Sequence, residues 1–267
     1  SGPNTAIFSP NNTTANTTVS GLIQGAYLFT LNVTDSAGTI SQPDTVIVSV
    51  AANGGITTQI WQTLTPSSGA IIGREEHGYV QAGNKFYLMG GRGIVPVQEY
   101  DPAINSWVNK SNPPIELNHF QPVTYNGLTY ILGAMNGAFP HEVPLPNVYV
   151  YNAASDKWLT GSTIPVSRRR GAAATVSYNN KIYLICGITD GHWAGWVNWF
   201  DEYDPATNTW KTLPDAPRAR DHFNVEIVND KLYVIGGRRS SGITGQVFPL
   251  TVPEVDIYNF TTGQWST

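Results

Sequence analysis

Residues 85–107 read KFYLMGGRGIVPVQEYDPAINSW, and the chain repeats their plan three more times. The opening segment, which ends in small residues, recurs as LTYILGA (128–134), KIYLICG (181–187) and KLYVIGG (231–237). The closing segment runs from a tyrosine to a tryptophan seven residues later, as Tyr100/Trp107, Tyr151/Trp158, Tyr203/Trp210 and Tyr258/Trp265. A fifth tryptophan, Trp61, lies 46 residues before Trp107, and the later intervals are 51, 52 and 55 residues. A repeat of this length predicts an array of similar structural units.

These repeats resemble the Kelch repeat, whose marks are a Gly-Gly doublet, a Tyr-Asp pair and a tryptophan, with a period near ~50 residues. Gly90-Gly91 and Gly236-Gly237 match the doublet, and Gly133-Ala134 and Cys186-Gly187 are degenerate forms of it. The resemblance covers residues 58–267 and implies a β-propeller, in which each repeat forms one four-stranded blade around a central channel. It also implies that each tryptophan packs between neighbouring blades and that the doublet allows close backbone approach.

The position of Trp61 predicts an incomplete ring. The tryptophan marks the outer strand of a blade, and Trp61 precedes any Gly-Gly strand. We therefore expect Trp61 to lie on an outer strand whose three partners lie elsewhere. Four whole blades follow, and the last ends just after Trp265. A ring closed by Trp61 would need three more strands after Thr267, so we expect this stretch to stop inside the propeller.

The first 52 residues show a different pattern. Apolar residues alternate at 27, 29, 31 and 33 and again at 46, 48 and 50, which predicts two half-buried strands. The segments around Gly25, Asp35 and Asp44 resemble the C-terminal half of a PKD-like, immunoglobulin-type domain. A complete sandwich of about 7 strands needs about 100 residues, so we expect this stretch to hold only the C-terminal half of such a domain. The predicted fold is all-β: a partial immunoglobulin-like β-sandwich (1–52), a linker (53–57), and a Kelch-type propeller with four whole blades plus one outer strand (58–267).

The composition excludes several classes of function. The net charge is −4 and the only basic clusters are Arg168–Arg170 and Arg238–Arg239, which argues against a nucleic-acid partner. No apolar run approaches the ~20 residues of a membrane span. The single cysteine, Cys186, rules out an internal disulfide and a Cys-x-x-Cys zinc site. A charged fraction of 13%, one cysteine and many Thr, Asn and aromatic residues are typical of an exported microbial β-protein, so we expect an extracellular or cell-surface location.

Length variation between the repeats predicts a binding face. The distance from the second-strand tyrosine to the third-strand tyrosine is 13, 21, 20 or 25 residues, whereas the other segments vary little. Insertions in propellers collect on one face, which is often the binding face. We expect a glycan or a protein ligand there, contacted by His192, Trp193, Trp196, Arg169, Arg239, His141 and Glu142. The alternative is that the aromatic residues pack the loops against one another.

Three histidines occupy related positions near the starts of inner strands. They are His77, His119 and His222, 10 or 11 residues before the second-strand tyrosines, and blade three has Ala172 there. Such a ring could bind a metal, but hydrogen bonding at the strand entry is the more common use of this position. The sequence therefore predicts no metal site and no cofactor.

An enzymatic function has weaker support from the sequence. Cys186 reads as a small buried residue in place of glycine rather than a nucleophile. Copper-radical sugar oxidases with Kelch propellers need a Cys–Tyr cross-link and His and Tyr copper ligands, and Cys186 cannot be matched to that site. A Kelch-type sialic-acid epimerase or mutarotase is permitted by the polar loop face but is not demanded by any spacing. We therefore predict no catalytic residues.

The preferred hypothesis is an extracellular, non-catalytic recognition or adhesion module. The first alternative is a structural subunit of an extracellular fibre or surface layer, assembled through exposed β-edges. The second is a sugar-modifying Kelch enzyme. Six Asn-x-Ser/Thr sequons are candidate glycosylation sites, at Asn11, Asn12, Asn16, Asn32, Asn109 and Asn259.

Overall fold

The computed structural model describes residues 1–14, 16–50 and 63–267. Trp61 and the expected linker over 53–57 lie outside the described residues. The chain divides into two compact units, Ser1–Leu64 and Thr65–Thr267.

The first unit contains two antiparallel pairs of strands. Strand β1 (Ile7–Ser9) pairs with β2 (Thr18–Ser20), and β3 (Gly25–Leu31) pairs with β4 (Asp44–Val50). The two strands predicted from the alternating pattern are β3 and β4. Tyr27 of β3 is buried, but Val46 of β4 is 57% exposed, so the apolar face of β4 is only partly covered. The likeness of this unit to an immunoglobulin-type sandwich stays a prediction.

The second unit consists of four antiparallel sheets of four strands, which confirms the four predicted blades. Blade one contains β5 (His77–Ala82), β6 (Lys85–Gly90), β7 (Gln98–Asp101) and β8 (Ser106–Asn109). Blade two contains β9 (Pro122–Tyr125), β10 (Leu128–Ile131), β13 (Asn147–Asn152) and β14 (Lys157–Thr163), with the short pair β11 (Met135–Asn136) and β12 (Val143–Pro144) inserted between β10 and β13. A 3-10 turn, Val166–Arg168, precedes blade three, which contains β15 (Ala174–Tyr178), β16 (Lys181–Asp190), β17 (Ala194–Asp204) and β18 (Thr209–Thr212). Blade four contains β19 (Asn224–Val228), β20 (Lys231–Ile235), β21 (Asp256–Asn259) and β22 (Gln264–Ser266).

The constant spacing of seven residues between tyrosine and tryptophan has a local cause. The two residues are cross-strand partners on the third and fourth strands of a blade, and in blade two the ring centroids of Tyr151 and Trp158 lie 5.1 Å apart. The hydroxyl of Tyr151 donates to Asp156 (2.7 Å), which has a positive φ of 53°. The other blades place Asn105, Asn208 and Gly263 at the same position, all with positive φ. A turn of this kind admits no other register, because one extra residue would move every side chain to the opposite face.

The hydrophobic core lies between successive blades. Trp158 packs against the buried cluster that contains Tyr87 of blade one, and the ring centroids of Trp265 and Phe200 of blade three lie 5.4 Å apart. The four repeat tryptophans are half-buried rather than fully buried, since each is on the outermost strand of its blade. The expectation that they pack between blades is confirmed at these contacts.

Cys186 takes the structural place of a doublet glycine, as the sequence predicted. It is fully buried, has a positive φ of 49°, and lies in a β-bulge between β16 and β17. Burial raises the pKa of its thiol to about 12, so the thiolate needed for nucleophilic chemistry is disfavoured.

Candidate functional site at the channel mouth

Three backbone hydrogen bonds join the entrances to the four inner strands in series, and the four entrances form a partial ring around the channel mouth. The amide of His119 donates to the carbonyl of Glu76 (3.0 Å), that of Ala172 to His119 (2.7 Å), and that of His222 to Ala172 (3.0 Å). All four residues have a positive φ, between 47° and 57°. Because non-glycine residues rarely adopt this conformation, its repetition shows that the ring is a built feature of the fold.

The ring corrects one assignment made from the sequence. The blade-one member is Glu76 and not His77, which is exposed at the start of β5. The spacing in the sequence already distinguished the two residues. Glu76 lies 11 residues before the second-strand tyrosine of its blade, as His119 and His222 do, whereas His77 lies 10 residues before it.

Blade three supplies its imidazole from a different place. Ala172 offers only a methyl group to the ring, but His192, on the turn between β16 and β17, reaches the same centre. Its ring centroid lies 4.8 Å from that of His119 and 5.0 Å from that of His222. The turn is held in place because the His192 amide donates to the Pro140 carbonyl of blade two (2.8 Å).

The ligand atoms of Glu76, His119, His192 and His222 converge. They all lie within 4.8 Å of one another. The Nε2 atoms of His119 and His192 are 3.5 Å apart, and His192 Nε2 is 3.7 Å from Glu76 Oε1. The other oxygen of Glu76 contacts His119 Nε2. We call these four residues the mouth cluster.

The second nitrogen of each histidine in the mouth cluster meets a side-chain oxygen. His119 Nδ1 is 2.8 Å from Asn118 Oδ1, His192 Nδ1 is 3.4 Å from Glu142 Oε2, and His222 Nδ1 is 2.5 Å from Asp221 Oδ1. These oxygens accept from the Nδ1–H groups, so the Nε2 atoms that face the centre carry free lone pairs.

The environment shifts the ionisation of the cluster. Burial raises the pKa of Glu76 to about 7, partly opposed by the nearby Arg92 guanidinium. Burial and the neighbouring His222 and His192 lower the pKa of His119 to about 2. Burial and His222 also lower the pKa of His192. His119 is therefore neutral at pH 7, as an imidazole that accepts at Nε2 must be.

Sequence reasoning missed Arg92, which ties two carboxylates to the site. Its Nη2 atom lies 3.3 Å from Glu76 Oε2 and also contacts the buried carboxylate of Glu142. Burial opposes ionisation of Glu142, but the Arg92 contact outweighs it and lowers the pKa of Glu142. An arginine follows the Gly-Gly doublet in blades one and four, as Arg92 and Arg238, and this was the available signal.

A cavity of about 620 Å³ opens beside the mouth cluster. Its walls come from the four inner strands and their entrances, including Glu76, His119 and His222. Both polar and apolar side chains line it, among them Gln121, Thr175 and Asn224 on one hand and Phe120, Phe223 and Val225 on the other. The cluster is therefore connected to the central channel of the propeller rather than sealed in a core.

The residues predicted to contact a ligand fall into two groups. His192 and Glu142 are buried at the channel mouth and contact each other, so they are not exposed on the loop face as expected. The other predicted residues lie at or near the surface. The rings of His141 and Trp193 are tilted by 46° with their centroids 4.8 Å apart. Arg239 lies over Trp196 at 5.4 Å, and Arg169 donates to the Ile164 carbonyl (3.2 Å).

The four connections between second and third strands form a surface that we call the loop face. It comprises residues 91–97, 132–146, 236–255 and the turn 191–193 with the adjoining strand ends. Every connection exposes at least one large apolar side chain, namely Ile94, Phe139, Trp196, Ile243 and Phe248. Phe139 and Phe248 flank His192, with ring centroids 5.1 and 6.5 Å from its imidazole. The loop face thus surrounds the mouth cluster.

Comparison with known proteins agrees with this architecture. The family model described as "Attractin/LZTR1 beta-propeller" matches residues 48–267. The chain belongs to this family of β-propellers. Its repeats are of the Kelch type, since "Kelch-like protein terF" of Aspergillus terreus is 30% identical over 227 residues, covering 78% of this chain and 47% of the relative.

More distant relatives show the same relationship. "Kelch-like protein 40" of Xenopus tropicalis is 24% identical, covering 75% of this chain and 32% of the relative, and "Alpha-scruin" of Limulus polyphemus is 26% identical, covering 62% and 19%. The chain thus spans about half or less of the length of these relatives. The solved "Structure of YjhT" superposes with a TM-score of 0.62 at 16% identity, covering 73% of this chain and 65% of that one, which shows the fold alone.

In the described part of this Kelch-type chain, no helix has the length and apolar character of a membrane span.

Proposed function

We propose that this Kelch-type propeller is a non-catalytic recognition module that binds a protein partner through its loop face. The observation that carries the proposal is the exposed apolar side chain on each of the four connections. Trp196 is 41% exposed, Phe139 56% and Phe248 65%, and they lie on neighbouring blades of one face. Apolar groups grouped on one face mark an interaction surface more reliably than single exposed residues do. Kelch propellers in general bind protein partners, which agrees with this choice.

A protein partner is favoured over a glycan by the arginines of the loop face. The guanidinium of Arg239 lies over the Trp196 ring at 5.4 Å, and that of Arg238 lies over Phe248 at 5.0 Å. One face of each ring is therefore already covered, which leaves a single face of each ring for a stacked sugar. Arginine and aromatic side chains are the usual anchors of protein interfaces. Glycan binding through Trp193 and Trp196 is the second candidate for this surface.

The propeller is proposed to act outside the cell, at the surface or in the medium. The low charged fraction and the single buried cysteine support this location. Five sequon asparagines are exposed, at Asn11, Asn12, Asn16, Asn32 and Asn109, whereas Asn259 is half-buried. Residues 1–52 are proposed to be part of a PKD-like module, and assembly into a fibre through open strand edges is the structural alternative. Cell fractionation with an antibody against the propeller tests the location, and recovery only from the cytosol would contradict it.

We expect loss of the exposed rings to weaken partner binding at least ten-fold. The test variant is Phe139→Ser/Trp196→Ser/Phe248→Ser, because removing buried aromatic anchors of an interface typically costs about 2 kcal/mol or more. The matched control is Val108→Ser/Leu159→Ser, which removes side chains of similar exposure, 52% and 55%, from the outer strands β8 and β14. Partners are selected on the wild type from a display library of the source organism's own protein fragments.

The binding constants for wild type, test variant and control decide the proposal. A partner that binds the wild type and the control equally and the test variant at least ten-fold more weakly supports it. Partners that bind all three equally, or that lose affinity for the control alone, contradict it. A glycan array probed with the same proteins separates the candidates, since binding of a glycan that is lost only in the test variant would favour the second.

A further inference from the structure

We propose that the mouth cluster binds one divalent first-row transition metal ion, with Zn²⁺ as the best match, through Glu76, His119, His192 and His222. The inference goes beyond ligand recognition on the loop face and does not depend on it. It also revises the expectation from the sequence that no metal site is present.

The spacing of the four ligand atoms suits a tetrahedral ion. Zinc bonds of about 2.0–2.1 Å to nitrogen and oxygen place neighbouring ligand atoms about 3.3 Å apart. The separations of 3.5 Å between His119 and His192 and 3.7 Å between His192 and Glu76 are close to this value. The whole set lies within 4.8 Å, so small side-chain rotations complete the site.

One atom of the cluster lacks a partner without an ion. His222 Nε2 is buried and has no hydrogen-bond partner among the described residues. Buried polar atoms are nearly always satisfied, so an orphaned nitrogen that belongs to a convergent set points to a missing ligand. An ion at the centre of the cluster gives Nε2 of all three histidines the same partner.

The outer contacts of the histidines are those of metal ligands. A ligating imidazole usually donates its other N–H to a carboxylate or carbonyl, which fixes the ring and its tautomer. Asn118, Glu142 and Asp221 supply this acceptor for the three histidines. The acceptors are themselves held, because Ser240 Oγ donates to Asp221 (2.7 Å) and Asn118 donates to Glu116 (2.7 Å).

The donor set selects the class of metal. Three imidazole nitrogens and one carboxylate suit Zn²⁺, Fe²⁺, Ni²⁺ or Cu²⁺, whereas Ca²⁺ and Mg²⁺ prefer sites made only of oxygen. Local charge does not oppose a dication. The guanidinium groups of Arg92 and Arg238 are balanced by the carboxylates of Glu142 and Asp221, and the Glu76 carboxylate remains to neutralise part of the ion.

Each of the four ligands comes from a different blade, so the ion would act as a clamp across the propeller. Glu76 belongs to blade one, His119 to blade two, His192 to blade three and His222 to blade four. An ion that binds only the folded state stabilises it by mass action. We therefore expect zinc to raise the melting temperature of the propeller by several degrees.

The first experiment measures binding to the intact, chelator-treated wild-type chain. Zinc is titrated in competition with a chromophoric chelator, and Co²⁺ is added separately as a spectroscopic probe. We expect one equivalent of zinc per chain, and the intense visible absorption of tetrahedral Co²⁺, which zinc displaces. Absence of one-to-one binding, or a weak octahedral Co²⁺ spectrum, would overturn the proposal.

The second experiment assigns the ligands by substitution. His222→Ala and His192→Ala should each weaken zinc binding at least 100-fold and abolish the Co²⁺ absorption. His77→Ala is the matched control, because His77 is exposed, follows Glu76 directly and lies outside the cluster, so zinc affinity should not change. Folding of each variant is checked in chelator by near-ultraviolet circular dichroism. If one alanine variant does not fold, Glu76→Gln provides the same test, and zinc binding by this variant as tight as in the wild type would contradict the site.

Discussion

Replacing Asp201 by asparagine should destabilise the propeller by about 3–5 kcal/mol, because the change leaves a buried guanidinium without its counter-charge. Asp201 lies on β17 and accepts from Arg170 Nη1 (2.7 Å) and Arg168 Nε (2.9 Å). The Arg170 side chain is fully buried, and Asp201 is 3% exposed. Asparagine keeps the side-chain volume and one acceptor but removes the charge. The loss of unfolding free energy therefore reports the lost electrostatic interaction and not the creation of a cavity.

Asp215→Asn is the matched control for this prediction. Asp215 also pairs with Arg168, through Nη2 at 3.3 Å, but its side chain is 41% exposed. Exposed pairs contribute about 0–1 kcal/mol, so the control should unfold almost as the wild type does. Urea denaturation of the intact chain, followed by tryptophan fluorescence, measures both, since seven of the eight tryptophans lie in residues 65–267. Equal midpoints for Asp201→Asn and the wild type would show that the buried pair contributes little.

A double-mutant cycle separates the unpaired charge from the lost contact. If the cost arises from leaving Arg170 charged and alone, Arg170→Met/Asp201→Asn should be less destabilising than the sum of the two single variants. An additive result would contradict this account of the loss.

The internal repeat gives the buried pair of Arg170 and Asp201 counterparts in two other blades. Blades one and four place Arg74 beside Gln98 and Arg220 beside Asp256, at the positions of Arg170 and Asp201. Blade two has Leu117 and Tyr149 there, both buried. The spacing of the repeats contained this pairing, because Arg74, Arg170 and Arg220 each lie 13 residues before a second-strand tyrosine.

The fold was predictable because its determinants are local and repeated. The Gly-Gly doublets and the interval from tyrosine to tryptophan fix strand ends and turn register within each repeat. Four copies of these features therefore determine the blade architecture. Strands β3 and β4 followed from alternation in the same way. The cover over their apolar face was not predictable, because alternation identifies the two faces of a strand but not what packs on them.

The mouth cluster was only partly predictable. His119 and His222 stood out as equivalent positions, and the 11-residue spacing also identified Glu76. His192 could not be placed, because it reaches the centre from a hairpin whose extra length extends β16 and β17 rather than forming a long loop. No repeat rule specifies where the tip of such an insertion lies, since its position depends on contacts with blade two.

Replacing Gly90 by alanine should also destabilise the propeller, by about 2–5 kcal/mol, because the methyl group would separate blades one and two. Gly90 ends β6 with a φ of +64°, where an L-residue costs about 1–2 kcal/mol. A Cβ atom there would overlap the Leu117 carbonyl oxygen and lie 2.7 Å from the Phe120 ring. The same carbonyl accepts from the Gly91 amide (2.8 Å) in a bond between the blades, so relieving the clash breaks it. Overpacking of this kind adds about 1–3 kcal/mol.

Gly236→Ala isolates the backbone part of the effect. Gly236 holds the same position in blade four with a φ of +69°, but among the described residues no atom lies within 4 Å of the place that an alanine methyl group would take. The free energy of unfolding of this variant should therefore fall by only about 1–2 kcal/mol, the cost of placing an L-residue in the left-handed conformation. Urea denaturation measures the loss of unfolding free energy in both variants. The loss in Gly90→Ala minus the loss in Gly236→Ala is the cost of forcing the blades apart. Equal losses in the two variants would mean that the doublet glycines are required for backbone conformation alone, and that the close approach of the blades tolerates a side chain.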